Sequence, residues 1–305
     1  MDITIITPSY NRRGKIGKLY SSLCEQSNKN FEWLIVDDGS TDDTKTLVES
    51  WIDKSPFPVR YIYKGNGGKH TALNLGISMI ESELTFIVDS DDYLTEDSIQ
   101  TIFDYHEKYK NRKESDKLCG YSFLRAYSNG EVNTGEFPVN EAIDTYRQQR
   151  INNNLLGDKA EVYYTDVLKK YPFEVFEGEK FMAEDAVWLK MSGPYNMVHI
   201  NRVIYICDYL EDGLTKTGRK MKIYSPYGMM YRSAVYINDP NVFLKVKIKM
   251  MLLYRIYARF AKIRDKENDV SDKEIKEKLS RCKINKGMLY YLSALPSRIL
   301  SIRWS

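Results

Sequence analysis

The chain has 305 residues, 43% of them hydrophobic and 29% charged, with a net charge of +3. That is enough for one large domain, or one domain with an appendage, that buries a core and stays soluble. Its four cysteines (Cys24, Cys119, Cys207 and Cys282) lie far apart without a Cys-x-x-Cys pair, so they read as reduced, buried residues of a cytosolic protein rather than a disulfide framework. No basic region followed by a long apolar stretch precedes Ile3, so no secretory signal is expected.

The charge is uneven. Residues 240–305 hold 16 Lys and Arg against 6 Asp and Glu, and the remainder holds 29 against 36. A basic tail on an acidic body suggests attraction of the tail to an anionic surface. Nucleic acid is not expected as a partner.

In chain order, Ile3–Thr7 reads as a buried strand broken by Pro8-Ser9-Tyr10-Asn11-Arg12, and residues 14–26 as a helix with Leu19 and Leu23 on one face. Trp33–Val36 is a second strand, closed by Asp37-Asp38-Gly39-Ser40. Ser40 or Thr41 is expected to cap a helix at about 42–54, with Asp42 and Asp43 favourable in its first turn. Val59–Tyr63 is a third strand, and Gly65-Asn66-Gly67-Gly68 leads into a helix at about 69–81. Leu84–Val88 is a fourth strand, followed by a helix from about Thr95 to Lys110. Such alternation implies βαβ units and a parallel sheet buried on both faces. Ligands of these sheets bind at the carboxyl ends of the strands, where the polar segments 8–12, 37–41, 64–69 and 89–92 all fall.

Beyond residue 119 the pattern is less regular. Gly120–Ser128 and Glu131–Phe137 suggest a hairpin across Ser128-Asn129-Gly130. Ala183–Met191 looks helical, Val198–Tyr209 reads as a strand, and the chain after 220 is mostly helical. The division drawn from this pattern is a catalytic domain at 1–220 and a basic, amphipathic helical extension at 221–305.

The chemistry concentrates in a few places. Asp37-Asp38 ends a strand, where a carboxylate can accept hydrogen bonds from a base or a sugar hydroxyl; turn chemistry fits equally. Gly65–Lys69 offers backbone N–H groups before a helix, a setting that favours anions, although it matches neither GxxxxGK[ST] nor GxGxxG and a tight turn also explains it. Asp89-Ser90-Asp91-Asp92 places three carboxylates within four positions, more than a helix cap requires. They repel one another unless a cation holds them, and Mg2+ commonly takes one or two carboxylates plus substrate phosphates. Glu184-Asp185 alone reads as dipole compensation at a helix start. His70 sits in the glycine loop, while His106 and His199 show no metal-ligand spacing.

On a helical wheel of residues 242–263, Val242, Phe243, Val246, Met250, Leu253, Tyr254, Tyr257, Phe260 and Ala261 form one apolar arc, and all six basic residues fall outside it. The basic residues rule against a membrane span. The pattern fits a helix in a bilayer interface or one docked on the body with solvated lysines. Residues 288–304 form a second apolar and basic segment.

Together and in this order, Thr7–Arg12, Val36–Asp42, Gly67–Gly76, Asp89–Asp92 and Glu184-Asp185 resemble the family 2 glycosyltransferases over about residues 1–215. The resemblance implies a glycosyltransferase-A fold: α/β, with a Rossmann-like, mostly parallel central sheet flanked by helices and, here, a helical C-terminal extension. It implies transfer from a nucleotide donor, usually a UDP-sugar, with Mn2+ or Mg2+. By the same resemblance, Pro8 and Tyr10 flank the base, Asp38 binds uracil, Lys69 lies near the nucleotide, Asp91 contacts ribose or metal, Asp92 binds metal and Asp185 is the catalytic base. The Gln-x-x-Arg-Trp signature of processive synthases is absent, and Arg303-Trp304 is not that motif. Gly157–Glu161 and Tyr209–Thr215 resemble segments of bacterial surface-polysaccharide transferases. The expectation is an inverting transfer of one sugar to a saccharide or lipid-linked saccharide, in the cytoplasm or peripherally at the inner face of the plasma membrane. The rivals are a nucleotidyltransferase that makes a nucleotide-sugar and a non-catalytic nucleotide-binding scaffold.

Overall fold

The computed structural model describes residues 2–133, 135–155, 157–207 and 214–284, with side chains omitted at 214–217. The first half runs β1 (Ile3–Ser9), α1 (Ile16–Cys24), β2 (Phe31–Asp37), α2 (Thr44–Ile52), β3 (Val59–Tyr63), α3 (Lys69–Ser78), β4 (Leu84–Ile87), β5 (Tyr93–Leu94) and α4 (Ser98–Tyr109). There follow β6 (Leu118–Tyr127), β7 (Ala142–Asp144), β8 (Ala160–Tyr164), α5 (Thr165–Leu168), α6 (Asp185–Met191) and β9 (Asn196–Cys207). The chain continues through α7 (Leu214–Tyr224), α8 (Pro226–Asn238), α9 (Leu244–Glu267) and α10 (Asp272–Arg281).

The nine strands form one sheet in the order β3-β2-β1-β4-β8-β6-β9-β5, with β7 on β9. The β3-β2-β1-β4 half is parallel throughout. β8 runs antiparallel to both β4 and β6, while β6 and β9 are again parallel. β1 is buried along its whole length, as a strand covered on both faces must be. Of its polar residues, Thr4 donates to Glu32 at 2.8 Å and Thr7 accepts from the Trp33 indole at 2.9 Å, whereas the buried Ser9 Oγ has no hydrogen-bond partner among the described residues. On one face α3 lies so close that a Cβ on Gly76 would stand 2.4 Å from Ile6 Cδ1 and 2.8 Å from Val36 Cγ2. Elsewhere in this half, Tyr20 stacks on Trp51 with ring centroids 4.2 Å apart.

Two local expectations change. Helix α2 begins at Thr44, and it is Asp42 that accepts the Thr44 N–H, at 3.0 Å. Ser40 and Thr41 are engaged elsewhere: Ser40 Oγ accepts the Asn11 N–H at 2.8 Å, and Thr41 N–H donates to Asn11 Oδ1 at 2.8 Å, so the loops after β1 and β2 are tied together. The second arm of the expected hairpin is reduced to a bridge between Ala126 and Val132. β6 is flanked by β8 and β9, and β8 stops pairing at Phe123, so only the last residues of β6 offer an edge.

The chain divides into two compact units, Met1–Pro172 with Met191–Leu210, and Phe173–Lys190 with Glu211–Ser305. Asp185, expected within the catalytic portion at 1–220, belongs to the unit that also holds the C-terminal helices. In that unit Pro226 opens α8, and the buried Glu179 carboxylate accepts the Tyr227 and Gly228 N–H groups at 2.9 and 2.8 Å, with Arg264 at 2.8 Å. A carboxylate at a helix start satisfies otherwise unpaired donors and meets the positive end of the dipole.

Of the apolar arc drawn on residues 242–263, Val242, Met250, Tyr257 and Ala261 are buried. The exposed apolar residues of this stretch are Phe243, Leu244, Ile248 and Ile263. No described helix is long and apolar enough to cross a membrane. Residues 288–304 and most of 209–215 lie outside the described residues. All four cysteines are unpaired; Cys119, Cys207 and Cys282 are buried and Cys24 is half-buried.

Candidate nucleotide and catalytic site

Because β3, β2, β1 and β4 are parallel neighbours, their carboxyl ends share one edge, and the segments starting at Lys64, Asp38, Tyr10 and Val88 emerge side by side. At that edge Pro8 is buried within β1, whereas Tyr10 is 46% exposed.

Asp38 is buried, and its carboxylate accepts the Gly67 and Gly68 N–H groups at 2.9 and 2.7 Å and Lys64 Nζ at 2.6 Å. Its carbonyl accepts from Asn66 Nδ2 at 2.8 Å. The glycine N–H groups read from the sequence as an anion site thus hold an anion of the protein's own. Gly68 has φ +96 and Gly39 has φ +86, conformations that favour glycine, and a Cβ on Gly39 would also stand 2.7 Å from the Asn66 N, so the close approach of these loops requires glycine there. Asp37 accepts from the Ser40 N–H at 2.7 Å and from the Tyr61 hydroxyl.

Each carboxylate of the quartet has a basic neighbour from another segment. Lys69 Nζ is 2.5 Å from Asp89 Oδ1, Arg12 Nη2 is 3.8 Å from Asp91 Oδ2, and Arg125 Nη1 is 3.8 Å from Asp92 Oδ2. Tyr205 donates to Asp92 Oδ2 at 2.7 Å and accepts the Asp89 N–H at 3.0 Å, and the Arg125 guanidinium lies 4.0 Å from the Tyr205 ring centroid. Burial would raise the Asp89 pKa, but Lys69, Arg125 and Arg12 outweigh it and hold this carboxyl below its ordinary range. Asp92 goes the other way: burial, then the charge of Asp89, push it up to about 7. His70 is buried on the first turn of α3, and burial pulls it down to about 4, so it is neutral at physiological pH.

Asp91 and Asp92 are adjacent oxygen donors of the kind a hard divalent cation takes together with phosphate oxygens. Asp91 is a quarter exposed. Among the described residues no group of three or more His, Cys, Asp and Glu is arranged to hold a metal. Two carboxylates fit a cation whose shell is completed by substrate, and Asp91 and Asp92 are the residues that would hold it.

In the second unit, Asp185 opens α6 and is gripped from α8. Arg232 Nε donates to Oδ1 and Oδ2 at 2.7 and 2.9 Å, Nη2 donates to Oδ2 at 2.5 Å, and the Tyr236 hydroxyl donates to Oδ2 at 2.8 Å. Burial would raise its pKa, but the charge and hydrogen bonds of Arg232, with Tyr236 and Lys222, hold it below the usual carboxylate value. Sequence reasoning missed Lys64, Arg125, Tyr205, Arg232 and Tyr236. Lys64 directly precedes the glycine loop and was legible as a cation beside Asp38; the others lie on strands or helices with no local motif.

A parallel half-sheet with its polar loops gathered at the carboxyl edge defines an α/β protein whose candidate site lies at that edge. Residues 4–112 match the family described as Glycosyl transferase family 2. The chain is 28% identical over 157 residues to the glycosyltransferase GlyG of Streptococcus pneumoniae, covering 51% of this chain and 50% of that one. It is 33% identical over 102 residues to the poly(ribitol-phosphate) beta-N-acetylglucosaminyltransferase TarS of Staphylococcus aureus, covering 33% of this chain and 18% of that one. The matched stretches therefore span half or less of these curated relatives. The structure of TarS 1-349 in complex with UDP-GlcNAc superposes with TM-score 0.60 at 18% identity, covering 92% of this chain and 79% of that one. The mannosyltransferase PcManGT from Pyrobaculum calidifontis, in complex with GDP-Man and Mn2+, gives TM-score 0.54 at 15% identity, over 99% of this chain and 84% of that one. Residues 4–112 thus carry a family 2 glycosyltransferase domain, and the chain has the glycosyltransferase-A fold.

Proposed function

We propose that the protein is an inverting glycosyltransferase that moves one sugar from a UDP-sugar to a hydroxyl of a saccharide or lipid-linked saccharide during cell-surface polysaccharide synthesis. The observation that carries this reading is the shared carboxyl edge of β3-β2-β1-β4, where Tyr10, Lys69 and Asp89–Asp92 come together inside the segment that matches the family. TarS's name, a poly(ribitol-phosphate) transferase, supports action on a polymer, and the UDP-GlcNAc complex of TarS supports a UDP-sugar donor.

In this reading Tyr10 and Pro8 flank the base. Asp38 shapes the loop after β3 against which uracil lies, and Lys69 and Arg12 exchange their carboxylate partners for the diphosphate. Asp91 contacts ribose. A divalent cation, Mn2+ or Mg2+, held by Asp91 and Asp92 would offset charge on the leaving diphosphate. Asp185 is the general base: a sugar hydroxyl is too weak an acid to ionise beforehand, so it is deprotonated as it attacks the anomeric carbon. Phe243, Leu244 and Ile248, with the exposed Lys245 and Lys249, provide peripheral membrane contact.

Asp185→Asn should lower UDP-sugar turnover by about 10²–10⁴-fold while calorimetric UDP binding persists. Turnover near that of the wild type would overturn the assignment.

A further inference from the structure

The grip on Asp185 is asymmetric. Oδ2 accepts from Arg232 Nε, Arg232 Nη2 and the Tyr236 hydroxyl, whereas Oδ1 accepts only from Arg232 Nε among the described residues. A carboxylate oxygen has two lone-pair sites. Oδ2 is therefore saturated, and Oδ1 keeps one acceptor site. Arg232 and Tyr236 are one helical turn apart on α8, so their side chains reach the carboxylate from the same face. The Asp185 side chain is 24% exposed, so the group is reachable even though it is anchored. Among the described residues, the charge of Lys222 on α7 also acts on it.

We propose that Arg232 and Tyr236 are positioning residues that pin Oδ2 of Asp185 and leave Oδ1 as the atom that takes the acceptor proton. This rests on the reading of Asp185 as the base. The acceptor O–H bond breaks as its oxygen bonds to the anomeric carbon, the proton goes to Oδ1, and the electron pair of the broken anomeric C–O bond leaves with UDP. The bidentate fork fixes the ring-like geometry of the pair and keeps Asp185 ionised in mildly acidic solution, at the expense of its basicity. Loss of the fork should raise the base's apparent pKa and also loosen its aim.

The test uses the full chain as wild type, Tyr236→Phe, Arg232→Gln, Arg232→Lys and Asp185→Asn. UDP release from UDP-GlcNAc, UDP-glucose and UDP-galactose with Mn2+ is followed across the carboxylate pH range. In parallel, the Asp185 carboxyl is titrated by carbon-13 NMR and assigned by its absence from Asp185→Asn. Arg232→Gln should move the acidic limb and the NMR titration upward by about 1–3 pH units, and Tyr236→Phe should move them by less. Both should lower kcat more than they raise KM, and Arg232→Lys should restore the limb but only part of kcat, because a lysine lacks the fork. A purely structural role would leave the limb in place. Should Arg232→Gln fail to fold, the Tyr236→Phe shift decides. Folded variants with an unmoved limb and titration overturn the positioning role while Asp185→Asn stays inactive. Wild-type UDP release by Asp185→Asn, or none from the wild type with any of the three donors, would instead overturn the function on which it rests.

Discussion

Tyr205 donates its hydroxyl proton to Asp92 Oδ2 at 2.7 Å while its oxygen accepts the Asp89 N–H at 3.0 Å, so one side chain from β9 sets both ends of the acidic quartet. The quartet reads from sequence as needing a cation. In the fold Lys69, Arg12 and Arg125 already stand beside its three carboxylates. Tyr205→Phe removes the hydroxyl and leaves the buried Asp92 carboxylate with Arg125 as its favourable neighbour among the described residues, against the charges of Asp89 and Asp91. The expected result is a loss of about 1–3 kcal/mol in stability and weaker binding of UDP with Mn2+. Chemical denaturation and calorimetry measure the two. Unchanged binding in a folded variant would remove Tyr205 from the nucleotide site.

Asp38 tests a different relationship, because its carboxylate is enclosed by Lys64 and two glycine N–H groups. An amide at this position turns a donor toward groups that are themselves donors. Asp38→Asn should therefore destabilise the protein by roughly 2–4 kcal/mol, in the range for breaking a buried charged pair. UDP affinity should fall with the loss of loop order. Lys64→Met should do the same, since it strands the carboxylate. If Asp38→Asn melts like the wild type and only loses preference for uridine over other nucleotides, Asp38 contacts the base directly and the loop does not depend on it.

The parallel half of the sheet was legible because β1, β2 and β4 are short, mainly apolar runs ended by polar residues, a composition that burial on both faces imposes, while the half-buried edge strand β3 alternates Val59, Tyr61 and Tyr63 with Arg60 and Ile62. Ser40 shows where such reading stops. A serine before a helix is a good cap by propensity, but Asn11 takes it for a contact across 29 positions, and no local pattern encodes that. The acidic quartet was legible as three carboxylates in a row. Its partners Arg125 and Tyr205 were not, because they reach it from β6 and β9, whose neighbours are set by sheet order. The grip on Asp185 was hidden for the same reason: Arg232 and Tyr236 are separated from it by 47 and 51 positions.

The tail helix supports a surface prediction that differs from the wheel alone. Tertiary packing covers Met250, Tyr257 and Ala261; the apolar residues α9 exposes are Ile263 and, at its start beside Lys245 and Lys249, Leu244 and Ile248, with Phe243 preceding them. The full chain should float with vesicles containing phosphatidylglycerol, and Leu244→Glu with Ile248→Glu should abolish flotation without lowering the melting temperature. If the wild type does not float, or the double variant floats equally, the membrane contact is overturned.

His199 gives a stability prediction whose sign follows from burial. The ring is fully buried, packs 4.8 Å from the Phe137 ring centroid, and shares one hydrogen bond between Nε2 and the Asp144 carbonyl at 3.2 Å, while Nδ1 has no partner among the described residues. Burial pulls its pKa down to about 4, and burial does the same for His70. The unfolded chain titrates near the ordinary histidine value of about 6.5, so it binds more protons than the fold between the two values. Stability is complete above about pH 6.5 and is lost as pH falls toward 4. Each ring contributes a loss on the order of 3 kcal/mol by linkage. His199→Gln keeps a donor for the Asp144 carbonyl but has no titrating group. It should be less stable at neutral pH through poorer packing, yet lose less on acidification than the wild type. Urea unfolding at a series of pH values measures both slopes, and equal slopes would show that His199 is not a source of the acid sensitivity.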